Sequence, residues 1–519
     1  MVDMTKNSTI FIFTILAFIS LSKTTFAFTE IVNREELRLR LGTLSPSKKL
    51  AEVKVAILDN GFAGYVPGKG MLPASTELVE GPLRFPTTSA HGLGMAQILW
   101  TMTGQLPEGP KFYLVNTNGF TNFKAAIDFV IEKKVDIVLY SQVWLFGSNF
   151  DGKGFINEAV NKTTAAGIIW VNAAGNLGGH VHTGKGTATG NTFRVKNKID
   201  ENSFSVTLAW NNFGDREQDC AVKDLDLEVL DHSQKVIFSS RLVQSGQAPD
   251  PKDPQDPRSC YARESVAVNS LERGDYVVRV TSKGGRTSEA DLYKVIINDE
   301  RPESLEFPDH SVGFEIMPPA DNRSVITVGD QSVLSSVGPT IDGRIKPDFT
   351  VENSKVSFTN GNLTQGSSNA AAMVAGSLAV MKSLKPKLAS KHILNFAQTL
   401  REQAGIPNGL ITPGQVPQWI TKYIPEGGFV RLHPTTGRAI IFSKDSPVEI
   451  SFIKRFNLRM ILPDDIVACN EFLSFCGLYP RSQDAYLAPP LIEFRQANLS
   501  TPGVWKNAET ILEGASRDY

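Results

Sequence analysis

Four polar residues stand where a folded chain can deliver them to one place. Ser368 falls in Gln365-Gly366-Ser367-Ser368-Asn369-Ala370-Ala371-Ala372-Met373-Val374-Ala375-Gly376, a polar, Gly-led turn passing into an Ala-rich run. The run reads as a helix, so Ser368 lies at or just before a helix N-terminus, where unpaired N–H groups and the helix dipole favour negative charge. That suits an attacking oxygen. It equally suits a serine N-cap on a core helix. His91 opens Ser89-Ala90-His91-Gly92-Leu93-Gly94-Met95-Ala96, read as a helix start with small residues on its packed side, a place where structural histidines are common. Asp59 ends an apolar strand expected over 53–58, at the turn Asp59-Asn60-Gly61. Asn176 follows a strand expected over 168–171, in Ala173-Ala174-Gly175-Asn176. Open α/β sheets place their sites at the carboxyl ends of strands.

Together the four make one kind of chemistry. A serine hydroxyl is a poor nucleophile until a base accepts its proton, and the base needs a carboxylate to hold its tautomer. The oxyanion that then develops needs a donor, which an asparagine amide supplies. Asp before His before Ser is one of the chain orders in which this triad occurs.

The motifs resemble those of the subtilisin-like serine peptidases. The aspartate motif stands as Ile57-Leu58-Asp59-Asn60-Gly61, the histidine motif as His91-Gly92-Leu93-Gly94-Met95-Ala96, and the serine motif as Gly366-Ser367-Ser368-Asn369-Ala370-Ala371-Ala372. Ser335-Ser336-Val337-Gly338-Pro339, Asp342-Gly343-Arg344 and Lys346-Pro347-Asp348 resemble the family's stretch upstream of the serine. The resemblance implies Ser368 as nucleophile, His91 as general base and then acid, and Asp59 as its orienter. It implies Asn176, with the Ser368 backbone N–H, as the oxyanion hole. Ser367 aligns with the Thr or Ser preceding the family's nucleophile. Polypeptide substrates and an acyl-enzyme follow, with no cofactor required for catalysis. The family's calcium sites find no recognisable ligand loop here, so structural calcium is left unmapped.

The sequence also departs from the family's pattern. Asn60 replaces the usual Thr or Ser, and Phe349-Thr350-Val351-Glu352-Asn353 replaces an Ala-Pro-Gly ending. Ser141-Gln142-Val143-Trp144 replaces the Ser-Leu-Gly stretch bordering the primary specificity pocket, so these four residues are the expected substrate-binding wall. The rival reading is a catalytically impaired subtilase-fold protein that binds peptides or acts as an adhesin.

The positioning elements are those of an α/β protein. Apolar strands alternate with helical spacing over 51–181, which argues for a mostly parallel sheet flanked by helices, and the pattern resumes over 300–430. Between them, 182–299 holds about seven short strand candidates without helices, which suggests an inserted all-β sandwich of jelly-roll type. Ala209-Trp210, Asp224-Leu225-Asp226-Leu227-Glu228-Val229 and Gly274-Asp275-Tyr276-Val277-Val278 resemble the pre-peptidase C-terminal-like domains appended to secreted peptidases. Asp224 and Asp226 read either as calcium ligands or as the solvent-facing side of a strand. Residues 431–519 carry no usable motif and remain unassigned.

At 519 residues the chain exceeds one ordinary core. With 53 basic against 54 acidic residues, nothing global points to nucleic acid or an anionic membrane. Lys6, an apolar run over 10–21 that is too short to span a bilayer, and Thr25-Phe26-Ala27 read as a signal peptide over 1–27, with an uncleaved anchor as the alternative. An exported chain, secreted or periplasmic, is expected, without a transmembrane segment. The segment 28–50 is too short for the family's common inhibitory propeptide. Four cysteines suit export, and local pairing of Cys220 with Cys260 and Cys469 with Cys476 is the economical expectation among three connectivities. Asn161, Asn322, Asn362 and Asn498 occupy N-x-S/T sequons.

Overall fold

The computed structural model describes residues 52–397, with short breaks, and the backbone of short strands between Leu410 and Gln496. The expected signal peptide, the segment 28–50, nearly all of 431–519 and the Cys469–Cys476 pairing lie outside the described residues.

The first apolar runs form strands β1 (Lys54–Asp59), β2 (Glu77–Val79), β3 (Lys111–Asn116), β4 (Ile137–Tyr140) and β5 (Ile169–Ala173). They alternate with helices α1 (His91–Met102), α2 (Phe120–Glu132) and α3 (Phe155–Ala165). The runs are apolar throughout, rather than alternating, because both sheet faces are covered. Val55 and Ile57 pack with Leu93, Met95 and Leu99 of α1, while Ala56 and Leu58 face Phe123, Ile127 and Val160 of α2 and α3.

The chain then runs through nine antiparallel strands. They are β6 (Val181–Lys185), β7 (Thr189–Asn197), β8 (Asn202–Trp210), β9 (Asp224–Leu230), β10 (Val236–Ser240), β11 (Arg263–Leu271), β12 (Gly274–Lys283), β13 (Leu292–Asn298) and β14 (Leu305–Glu306). One sheet has the order β10-β9-β12-β7-β14 and the other β11-β8-β13-β6. Val195, Leu227 and Val278 of the first share an apolar cluster with Leu208, Val266 and Val295 of the second, and Phe155 and Ile156 of α3 join it. A disulfide links Cys220 to Cys260, as expected. Asp226 departs from the expected solvent-facing position. It is buried, and its carboxylate pairs with Lys283 Nζ at 3.3 Å on the neighbouring strand β12.

Parallel strands resume with β15 (Ile326–Asp330) and β16 (Phe349–Val351). A short hairpin of β17 (Val356–Ser357) and β18 (Leu363–Thr364) leads into helix α4 (Ser367–Leu384), and β19 (Leu410–Ile411) adds an edge. The large sheet has the order β19-β16-β15-β5-β4-β1-β3-β2, parallel throughout. After β3 the chain returns to the other side of β1 to form β4, so a crevice opens where the strand order reverses, at the carboxyl ends. Asp59, Ser141 and the Ala173–Asn176 turn all sit along that edge.

Helices α1 and α4 lie on the same face of this sheet and touch closely. A Cβ built on Gly376 would stand 2.5 Å from the Met102 Cβ and 2.8 Å from the Leu99 carbonyl oxygen, neither of which can move without shifting α1. Gly376→Ala should therefore lower stability by about 1–3 kcal/mol through overpacking, outweighing the roughly 1 kcal/mol that alanine gains over glycine in a helix. Denaturant unfolding measures the difference. Unchanged or raised stability would mean that the helix contact is not tight.

Candidate active site

Asp59 is fully buried at the end of β1, where strand register sets it opposite Asn116 and one residue beyond the Leu58–Tyr140 pair. His91 Nδ1 lies 2.7 Å from Asp59 Oδ2. The start of α1 is pinned to the aspartate turn, because the Gly92 N–H donates to the Gly61 carbonyl at 2.9 Å. Gly92 also has no room for a side chain: a Cβ there would stand 2.6 Å from the Asp59 Cβ and 2.8 Å from the Gly61 oxygen. The Asn60 backbone N–H donates to Asp59 Oδ1 at 2.8 Å, so the unusual Asn60 supports the carboxylate through its main chain. Gln142 Nε2 approaches the same oxygen at 3.4 Å. Its sequence position suggested only a pocket wall, and the contact with Asp59 is visible only once β4 lies beside β1.

Ser368 sits in the first turn of α4, and its hydroxyl donates to the Ser141 carbonyl at 3.0 Å. Asn176 is held by its neighbour rather than by Ser368. Its Oδ1 accepts from the Ser367 N–H at 3.1 Å and from Ser367 Oγ at 3.0 Å, while the Gly175 N–H donates to Ser367 Oγ at 3.2 Å. Ser367 is fully buried, which removes it from attack and makes it the anchor of the asparagine. Anchoring Oδ1 leaves Nδ2 as the end of the amide that can serve a ligand. The upstream serine stretch braces the same turn: Ser336 donates its N–H to the Gly175 carbonyl and accepts the Leu177 N–H on Oγ.

The sequence model of the subtilase family matches residues 51–412. The chain belongs to the subtilase family. Among solved structures, the CspB protease of Clostridium perfringens is similar at a TM-score of 0.46 and 14% identity, over 71% of this chain and 95% of that one. The epidermin leader peptide processing serine protease (EpiP) of Staphylococcus aureus is similar at 0.34 and 13%, over 72% of this chain and 76% of that one. No curated protein matches.

In this subtilase a cleft of about 750 Å³ runs from Ser368 past Asn176 and the expected wall Ser141, Gln142, Val143 and Trp144. The Trp144 ring does not simply narrow it. It packs edge-on against Phe120 and Phe146, at 5.9 and 5.7 Å between centroids, and against Phe123 at 5.6 Å. Asn298 and Asp299, at the end of β13, border the same cleft. A second cavity opens on the other side of Ser368, against His91 and α1.

Surrounding protein opposes a charge on His91, but the Asp59 charge and hydrogen bond outweigh it, and the pKa is raised above the ordinary 6.5. The folded state thus binds this proton more tightly than the unfolded chain. The resulting stabilisation is complete below the unfolded value and is lost as pH rises through the folded one. An NMR titration should place the His91 midpoint above 6.5, and Asp59→Asn should move it down. A midpoint unaffected by Asp59→Asn would mean that the carboxylate is not what raises it.

Proposed function

We propose that this subtilase is an exported serine endopeptidase that hydrolyses peptide bonds through an acyl-enzyme. The observation that carries the reading is the 2.7 Å contact between buried Asp59 and His91, with Ser368 and Asn176 bordering the cavity that His91 faces. The His91 side chain is 38% accessible, so a substrate can reach it, while its carboxylate partner is sealed from water.

In the reaction Asp59 accepts the Nδ1 proton of His91 in a hydrogen bond, which leaves Nε2 free to act as base. The Ser368 hydroxyl turns from the Ser141 carbonyl toward Nε2, a side-chain rotation far faster than catalysis. As Oγ attacks the peptide carbonyl, its proton passes to His91 and the carbonyl becomes an oxyanion. The Asn176 amide and the Ser368 backbone N–H stabilise that charge. His91 then protonates the departing amine. It next takes a proton from the water that attacks the acyl carbon, and returns that proton to Ser368 Oγ as the acid is released. Released, the Ser141 carbonyl is available to a substrate N–H. The wall Ser141, Gln142, Val143 and Trp144 would hold the acyl-side residues.

A fluorophosphonate should label Ser368 covalently, and Ser368→Ala should lose both label and peptidase activity while keeping its circular dichroism spectrum. Folded wild-type protein that takes no label would overturn the reading. Asn176→Ala should lower kcat by about 10²–10³ with little change in KM, because the donor meets charge present mainly in the transition state. A rise in KM at constant kcat would reduce Asn176 to a substrate-positioning group.

Export rests on the 1–27 segment and on the Cys220–Cys260 disulfide, a bond that persists in oxidising compartments. N-terminal sequencing of the mature protein should begin at Phe28. A mature chain that retains residues 1–27 would refute cleavage.

A further inference from the structure

The cavity that His91 faces, bordered also by Asn176 and Ser368, continues away from these groups along α1. It measures about 620 Å³ and is walled by Val66, Leu93, Met95 and Phe358. Since the departing amine takes its proton from His91, the substrate chain beyond the scissile bond leaves on this side of Ser368. Polar residues line it too, among them Asn360, Asn362 and Thr364. One buried polar wall residue differs from these in having no side-chain partner. Gln97, further along α1 than His91, lines the cavity, is 1% exposed, and has no hydrogen-bond partner among the described residues on either Nε2 or Oε1.

A buried amide with both ends unpaired is costlier than the leucine or methionine that would fill the same space. Because both ends are unpaired, the amide lacks a donor and an acceptor partner whichever end is oxygen and whichever nitrogen. A donor and an acceptor side by side complement a group offering an acceptor and a donor in the same spacing, which is a primary carboxamide. We propose that Gln97 makes this cavity a specificity site for a glutamine or asparagine side chain in one of the first two substrate residues after the scissile bond. The proposal rests on the peptidase reading of Ser368. The apolar walls take the methylenes of that side chain. A rotation of the Gln97 side chain, whose amide is sealed from the cavity in the free protein, brings its two ends to the substrate carboxamide. Glutamate has the same shape but lacks the donor and brings a charge into apolar surroundings. Methionine and leucine fit the walls and leave Gln97 unpaired. A site with buried polar groups rejects an analogue that cannot pair with them more strongly than an apolar pocket separates two hydrocarbons.

The test uses internally quenched peptides that differ only in the first two residues after the scissile bond, with Gln, Asn, Glu, Met, Leu or Ala at each. At one of these positions kcat/KM for Gln or Asn should exceed that for Met and Glu by about tenfold or more, the worth of two neutral hydrogen bonds. In Gln97→Leu the ratio should reverse toward Met and Leu. The Tm of Gln97→Leu should also rise, because an apolar side chain replaces an unpaired amide. Gln97→Met, closer in shape, carries the same comparison should the leucine variant not fold. Anisotropy of uncleaved Gln and Leu peptides on Ser368→Ala protein reads the selectivity without any chemistry, so it still reports if the peptidase reading fails. Equal affinities there, with a flat kcat/KM profile in the wild type, overturn the proposal even if every peptide is cut. A Gln97→Leu protein with lowered Tm and an unaltered Gln/Leu ratio would assign Gln97 to folding alone.

Discussion

A carboxylate withdrawn from water governs the architecture of this site. Asp59 has no exposed surface, and an ionised group so placed is tolerable only when its oxygens are met by donors. The Asn60 N–H, Gln142 and His91 come from three different elements to meet them. Each contact therefore ties β1 to a neighbour: the following turn, the end of β4 and the start of α1. Displacing any one would leave a buried charge less well paired.

Close packing holds those elements in place. Gly376 lets α4 lie directly against α1, so the helices that begin near Ser368 and at His91 are packed against each other. The antiparallel sheets pack onto the same framework. Phe155 and Ile156 of α3 share their apolar cluster, and Phe146 and Tyr261 pack together across the join at 5.5 Å. Lys294 of β13 is buried beneath them, its Nζ donating to the carbonyls of Phe314 and Ile316 at 2.6 and 3.1 Å and lying 4.6 Å from the Phe150 ring centroid. Burial pushes its pKa down to about 8, against the pull of Asp321 and Glu315. This contact anchors β13 just before the chain reaches Asn298 and Asp299 at the cleft. A segment that reads in sequence as an interruption is thus built into the wall of the site.

Much of this was legible in the residues. Continuous apolar runs such as those of β1 and β4 announce strands covered on both faces, and the strand–helix alternation makes the sheet parallel. Asp59 ends β1 and His91 opens α1, while Asn176 lies three residues past β5 and Ser368 one residue into its helix. Local sequence alone therefore places them on turns and helix starts, and their order along the chain suggested a common purpose. The Cys220–Cys260 pairing was also the economical choice from spacing.

Other features depended on contacts between residues far apart in sequence. The strand order decides that Gln142 reaches Asp59, and burial of Ser367 makes it the anchor of Asn176 rather than a rival nucleophile. Short strands such as β2, β14 and β17 carry too few residues for a periodic signal and exist because a neighbouring strand offers its edge. Asp226, read as a calcium ligand or a solvent-facing residue, is buried and paired with Lys283. Trp144, expected as a wall of the cleft, lines it while packing edge-on against Phe120 and Phe123. Side-chain alternation tells which face of a strand a residue is on. Only the packing of whole elements decides what covers that face, and hence whether a polar group meets water, a partner or an empty cavity.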